Sequence, residues 1–396
     1  MLAGMTRWRP AGAVVIAVVA AAAAGIAAAP ALPARPTVLA AYYIWYADGS
    51  HPSAAWRHWT RPEVAALHGG DHPLARPGDP PLASAAYPLA GLYSSRDPAV
   101  AEWHMRLARA AGIDAFLVSW WGRHQETDEV FAAVTLPAAE RTGFKLALLD
   151  ELAQFHHDDG AYAHSLAAAL TRFKDSPAYL RIDDRPVVYL YQVAARPGLT
   201  PAAFALVRRR VEDRAGPVFW IVDKVAHDHA SRREHSRKCI PADWLDVEGI
   251  DAFAMYSTFS HFRADRYDDL IAEYRYLAGQ AHAAGRRIVL PVHPGHDNSR
   301  FSPDPYRMPR RDGDTFRDYL RAATDAGADA VLVTSWNEWP ETTVVEPASS
   351  WEDPYAALRI LADWRGIPFE PPDDRPARPT PHPPESPAKP EPLPAR

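Results

Sequence analysis

The sequence predicts a (β/α)8 barrel with one active face. Three observations carry that reading. Eight short apolar runs read as strands, helical patterns lie between most of them, and long loops follow strands while tight turns follow helices. Strands alternating with helices build parallel βαβ units, and long loops gathered on one face are the mark of a barrel whose strand ends carry function.

Residues 1–34 stand apart from the barrel. Arg7 and Arg9 precede an apolar run over 11–29, and small residues follow in A-x-A patterns around Ala27, Ala29 and Ala31. This is the layout of a secretory signal peptide, and the run is also long enough to persist as a membrane anchor. Either route places the rest of the chain outside the cytoplasm.

The barrel is expected over 35–366. Its first strand, 38–46, is followed by a long loop to Asp97 and a helix over 98–111 with apolar residues recurring at three and four. Strand 113–120 leads to helix 129–142, strand 144–149 to helix 161–173, and strand 187–191 to helix 201–214. Strand 218–222 runs into a loop, 223–248, with no helical pattern. Strand 250–256 and helix 265–284 follow, then strand 288–292, a long loop over 293–314 and helix 315–326. Strand 330–335 and helix 351–364 complete the set. Gly112, Gly143, Gly285 and Gly327 mark helix ends. The segment Ala111–Gly112–Ile113–Asp114 leading to Trp120 is echoed by Ala326–Gly327–Ala328–Asp329 leading to Trp336, as two similar units of one barrel. From 367 to 396 proline dominates among charged residues, and an extended tail is expected.

Composition narrows the function. The 396 residues carry a net charge of −6, which gives no bulk reason for nucleic-acid binding. The single Cys239 rules out an internal disulfide and a cysteine-based zinc site. No P-loop, dinucleotide fingerprint or nucleophile elbow is present, so no cofactor is expected. The 13 tryptophans exceed what a core of this size usually needs and hint at a sugar-binding groove. A monomer acting on a polysaccharide or oligosaccharide is expected.

The strongest chemical signal is the run Val331 to Glu341. A buried strand there opens into a polar, aromatic loop with two carboxylates three residues apart, Glu338 and Glu341. Glycoside hydrolysis needs one carboxyl to protonate the leaving oxygen and a second group to assist at the anomeric centre or activate water. An alternative pair is Glu151 with Glu338, from two strands. A plainer reading makes Glu341 a surface acid at a helix start. Tyr46, Trp121, Glu151, Tyr256, His293, Asn337 and Trp339, all at strand ends, are candidate substrate contacts. Trp45 and Trp336 are further candidate platforms, and Asp48, Asp150, Tyr191, Gln192, Asp223, Lys224 and His296 also fall at strand ends. Neither His156–His157 with Asp158–Asp159 nor His293 with His296 has the spacing of a zinc site, so no metal is expected.

These residues also resemble a known family. The segments Ala41–Tyr46 with Trp56–Trp59, Leu92–Pro98, Ser119–Trp121 and Pro291–Asp297 are similar, in order, to those of glycoside hydrolase family 99. Ser335–Trp336–Asn337–Glu338–Trp339–Pro340–Glu341–Thr342–Thr343–Val344–Val345–Glu346 resembles its Asn-Glu-Trp-x-Glu-x-Thr-x-x-Glu signature. That family contains endo-α-1,2-mannosidases and endomannanases. The resemblance implies a retaining mechanism in which Glu338 is the base for the sugar's own 2-hydroxyl, giving a 1,2-anhydro sugar, and Glu341 is the acid/base. Pro340 stands where the family's enzymes often have His, Thr342 where they have Gly, and Leu149–Asp150–Glu151 replaces a His-x-Glu-Pro-Tyr-like segment. The wider group includes glycosyltransferase-like relatives, and a glycan-binding barrel without catalysis is the remaining alternative.

Overall fold

The apolar runs that read as strands lie side by side because each is buried on both faces, which only a covered parallel sheet allows. The computed structural model describes residues 36–376 apart from 50–55, 69–71, 74, 156–158, 197, 228–237 and 259–266. The N-terminal segment, His156–His157, most of the charged run after His227 and the chain beyond 376 lie outside the described residues.

The barrel strands are β1 (Thr37–Tyr42), β2 (Ala115–Trp120), β3 (Lys145–Asp150), β4 (Arg185–Leu190), β5 (Phe219–Asp223), β6 (Ala252–Ala254), β7 (Arg287–Val292) and β8 (Ala330–Val333). Each pairs in parallel with the next, and β8 pairs with β1 (Thr37 beside Ala330), which closes the ring. The chain is therefore a (β/α)8 barrel.

Helices cover the strands: α1 (Pro98–Ala110), α2 (Leu136–Thr142), α3 (Asp159–Phe173), α4 (Pro201–Ala215), α5 (Ala242–Leu245), α6 (Tyr267–Ala283), α7 (Asp314–Asp325) and α8 (Ala356–Arg365). Among its described residues the loop without helical periodicity after β5 holds a two-stranded ribbon, Ala226–His227 with Lys238–Cys239, and one four-residue helix, α5. Two helix starts are written locally. Asp97 accepts from the Ala99 N–H and Thr200 from the Ala203 N–H, each followed by a proline that needs no partner. Ahead of α2 the chain is helical over Glu126–Val130 and makes a π turn over Phe131–Thr135. Pro137 cannot donate to the turn before it, and the widened turn absorbs the misfit.

The echoed Ala-Gly-x-Asp segments have a physical cause. After α1 the chain turns at Gly112 (φ +83°), then Asp114 grips the neighbouring strand twice: its N–H donates to the Val38 carbonyl, and its carboxylate accepts from the Val38 N–H at 2.7 Å. Asp329 does the same to Ile288 after Gly327, with its carboxylate accepting at 2.8 Å, and Asp251 to Trp220 after Gly249, at 2.9 Å. Each clasp satisfies the N–H of the second residue of a strand, near the barrel floor.

The barrel does not end at Gly366. Phe369 packs on the core beside Tyr355, beneath the Arg359 guanidinium, and Asp374 pairs with Arg106 of α1 at 2.5 Å. The first residues of the expected tail thus lie along the barrel wall. Among the described residues no helix is long and apolar enough to cross a membrane.

Candidate active site

The loop after β8 holds both predicted acids, and it folds back on itself. The Ser335 N–H donates to the Thr343 carbonyl, the Val345 N–H to that of Ser335 and the Glu346 N–H to that of Trp336. A buried carboxyl, Glu346, anchors this fold from behind. It accepts from the Tyr93 hydroxyl at 2.7 Å and the Trp339 indole N–H at 2.9 Å, and lies 3.1 Å from His104 Nε2. His104 in turn meets the Tyr42 hydroxyl at 3.2 Å through its other nitrogen. From the opposite side, Arg310 donates to the carbonyls of Thr342 (3.0 Å) and Val344 (2.7 Å) while lying 4.1 Å over the Trp351 ring. Thr342 has φ +53°, a left-handed turn conformation uncommon for a β-branched residue. Its hydroxyl accepts from the Ala85 N–H, which helps hold that turn.

This scaffold presents the two carboxyls differently. Glu338 is 5% exposed, its N–H donates to Ser335 Oγ, and its Oε2 is buried with no hydrogen-bond partner. The Glu341 side chain is 37% exposed, 4.0 Å from His296 Nε2, and its carbonyl accepts from the Asp297 N–H. Burial, and then Glu341, raises the Glu338 carboxyl well above the usual carboxylate range. Burial raises Glu341 as well, and Arg61 pulls both back down. The Glu341 charge makes Glu338 the member of the pair that keeps a shared proton longest as pH rises.

A third carboxyl faces the same cleft. Glu151 accepts from Ser119 Oγ at 2.7 Å, and Ser119 accepts from the Trp121 indole N–H at 3.2 Å. Burial lifts Glu151 to about 7, and its field reaches Glu338. Across the cleft, burial lifts Asp223 to about 7. Tyr256 shares a short hydroxyl contact with Tyr43, and its ring is 4.8 Å from that of Tyr191. Trp121 is the exposed indole of this cleft, 42% accessible and edge-on to Trp45.

Several predicted contacts turn out to be framework. Asn337 is buried, with its amide exchanging bonds with the Tyr43 backbone (2.7 and 2.9 Å) and donating to the Tyr93 hydroxyl. Trp339 is buried and its N–H is held by Glu346. Tyr46 donates to the Asn337 carbonyl at 2.7 Å and accepts from the Trp339 N–H. His293 is buried between the Thr334 carbonyl and the Thr258 N–H, and burial drops it to about 3, so it is neutral. These four hold the loop or line the barrel interior rather than offer a face to a sugar, because their polar atoms are already used. Trp336 is core, and Trp45 is stacked on both Tyr43 and His58. Glu338, Glu341, Glu151, Trp121 and Tyr256 remain together at the cleft. Arg61, Ser119, His104 and Glu346 were not singled out from the sequence. Glu346 and Ser119 lie in segments that resemble the family, while Arg61 and His104 come from segments with no motif. Among the described residues no group of three or more His, Cys, Asp or Glu could hold a metal ion.

Comparison with known proteins places this arrangement. Residues 34–203 match the family described as Glycosyl hydrolase family 99, and residues 147–358 match that described as Glycosyltransferase WbsX. The glycoprotein endo-alpha-1,2-mannosidase-like protein of Danio rerio is 24% identical over 334 residues, covering 78% of this chain and 70% of that protein. The glycoprotein endo-alpha-1,2-mannosidase of Rattus norvegicus is 23% identical over 338 residues, covering 80% and 69%. The solved GH99 endo-alpha-mannosidase of Bacteroides thetaiotaomicron shares the fold with a TM-score of 0.65 at 21% identity, over 83% of this chain and 96% of that one. The chain is a glycoside hydrolase family 99-like protein. It also belongs to the WbsX family, whose match spans more than half of it, and the two matches overlap on one continuous barrel. As a family 99-like glycoside hydrolase, it carries its acids on a single loop after β8, within the region of the WbsX match, and Trp121 and Glu151 within that of the family 99 match.

Proposed function

We propose that this chain is a retaining glycosidase that acts outside the cytoplasm on α-mannosidic bonds of a polysaccharide or oligosaccharide. The observation that carries the mechanism is the acid pair: a buried carboxyl with an unpartnered oxygen, Glu338, beside a more open one, Glu341, on the same loop. The likeness to endo-alpha-1,2-mannosidases supports α-mannosides as substrate. The signal-like segment 1–34 supports export.

The reaction runs in two steps. In the empty cleft the more deeply buried Glu338 holds the shared proton. A sugar 2-hydroxyl donating to Glu338 Oε2 favours the ionised form there and moves the shared proton to Glu341. Glu338 then takes the 2-hydroxyl proton as O2 attacks C1. The bond from C1 to the leaving oxygen breaks, and Glu341 protonates that oxygen. In the second step Glu341 takes a proton from water, the water oxygen attacks C1, the C1–O2 bond of the 1,2-anhydro sugar opens, and Glu338 returns its proton to O2. Two inversions at C1 give retention. Glu151 is poorly suited as a nucleophile in an alternative pair, since burial raises it to about 7, which leaves only about half of it ionised at neutral pH, and one of its oxygens is taken up by the Ser119 hydroxyl.

Product analysis with α-mannans tests this reading, with anomeric configuration followed by NMR. The parent is expected to release the α-configured product first, and Glu338→Gln and Glu341→Gln to release none. An initial β-product would reject the mechanism. The WbsX match favours a second reading, transfer from a sugar donor. Sugar incorporation from a nucleotide sugar, with no hydrolysis, would replace the first reading by the second.

A further inference from the structure

Arg61 ends the Trp56–Arg61 segment of the loop after β1, just before the short helix Pro62–His68. Its guanidinium lies 4.7 Å from the Phe301 ring in the loop after β7. The two loops are tied on either side of it. His68 Nε2 meets the Ser299 carbonyl at 2.9 Å, and Arg300 Nε donates to the Leu82 carbonyl at 3.3 Å. Two residues before Ser299, the Asp297 N–H donates to the Glu341 carbonyl at 2.8 Å. Arg61 is thereby fixed on the Glu341 side of the cleft, and its charge reaches both Glu338 and Glu341.

The other arginines of this rim are committed. Arg57 pairs with Glu126, Arg96 with Glu126 and Glu129, Arg307 with Asp297, and Arg310 with two carbonyls. Arg61 stands within 4.0 Å of no carboxylate among the described residues, and its Nε is buried without a partner. A guanidinium half withdrawn from water, resting on an aromatic face with its donors unspent, is a built receptor for a planar or tetrahedral oxyanion. Leaving such donors unpaired costs stability, and a ligand that supplies the acceptors recovers it.

We propose that Arg61 is a specificity residue that takes an anionic group of the glycan, a uronate carboxylate or a phosphate ester, on a sugar beside the scissile bond. This rests on the glycosidase reading and adds the charge class of the substrate. The anion would displace water from Arg61 and lie along the Phe301 side of the cleft. Arg61 takes no part in bond making.

The test compares three glycans as substrates of the full chain: a neutral α-1,2-linked mannotetraose, the same glycan carrying one phosphate ester, and the same glycan oxidised to a uronate. The readout is the ratio of kcat/KM for charged over neutral substrate, which cancels any general effect of Arg61 on the acid pair. The parent should prefer one charged glycan by about tenfold or more, and which one identifies the anion. Arg61→Met should bring that ratio to about one, and Arg61→Lys should retain only part of it because the fork is lost. A parent ratio near one, or a preference unchanged in both variants, overturns the inference and leaves the glycosidase reading standing. If the parent hydrolyses none of the three, the mannoside reading falls, and calorimetry on the same glycans decides. Tighter binding of a charged glycan, lost in Arg61→Met, upholds the anion site. Equal or absent binding overturns it.

Discussion

Glu338 and Glu341 differ in what surrounds them, and the roles proposed for them rest on that difference. Glu338 is enclosed with one oxygen unmatched, whereas the Glu341 side chain is more open. Glu341→Gln should lower kcat by about 10²–10⁴ on substrates with poor leaving groups, the usual worth of a general acid, with thermal stability unchanged. A variant with near-parental turnover would remove Glu341 from that role. The pH profile follows from the shared proton. Turnover needs one proton in the pair, so it falls on the acid side as both are protonated and on the alkaline side as both ionise. Arg61 holds both groups down, so Arg61→Met should move both limbs to higher pH. A profile that stays in place, or moves to lower pH, would contradict the placement of that charge.

At the scale of elements, the loop after β8 is irregular yet rigid because its polar atoms are matched from behind. Glu346 binds the side chain of Trp339 directly and meets Asn337 through Tyr93, and these two residues flank Glu338 in the chain. Glu346→Gln puts an amide donor against donors. Breaking such a buried network costs about 3–5 kcal/mol, so the variant should melt earlier and lose kcat more than it raises KM. Parental kcat with only a lower Tm would mean that Glu346 supports the fold but not the acids. The aspartate clasps lie at the other end of the strands. Asp329→Ala removes the partner of the Ile288 N–H and should cost about 1–3 kcal/mol while leaving kcat/KM intact, since the floor of the barrel does not face the cleft. Denaturant unfolding beside kinetics on the same preparation reads both quantities.

For the whole molecule, the closed ring of parallel strands sets what each connection can do. Turns at the floor are short and gripped by aspartates, whereas loops at the other face are long and lean on each other, as the β1 and β7 loops do around Arg61 and Phe301. The wall also includes residues after Gly366. A chain ending at 376 should melt with the longer one, while a chain ending at 366 loses the Phe369 packing and the Arg106–Asp374 pair and should melt a few degrees lower. Equal Tm for all three would show that this segment adds nothing to the barrel.

Local pattern was enough for the barrel and for placing Glu338 and Glu341 on one loop. Apolar runs of strand length, helical periodicity between them and glycine at helix ends are short-range signals, and burial on both faces of a parallel strand leaves a run that is read directly. Glu338 and Glu341 were legible because they share one loop. The echo of Ala-Gly-x-Asp was legible as a repeat, but its reason, a carboxylate reaching an N–H near the start of an adjacent strand, exists only once the strands are side by side. Which polar residues touch a ligand was a tertiary matter. Asn337, Trp339, Tyr46 and His293 have the chemistry of a sugar site, but residues far away in sequence use up their hydrogen bonds. Trp121 keeps an open face, and Arg61 enters the cleft from a segment without a motif. Chain order determined the fold and put Glu338 and Glu341 on one loop. Packing decided which side chains were left with unspent surface and donors, because a group's availability depends on every neighbour that three dimensions bring to it.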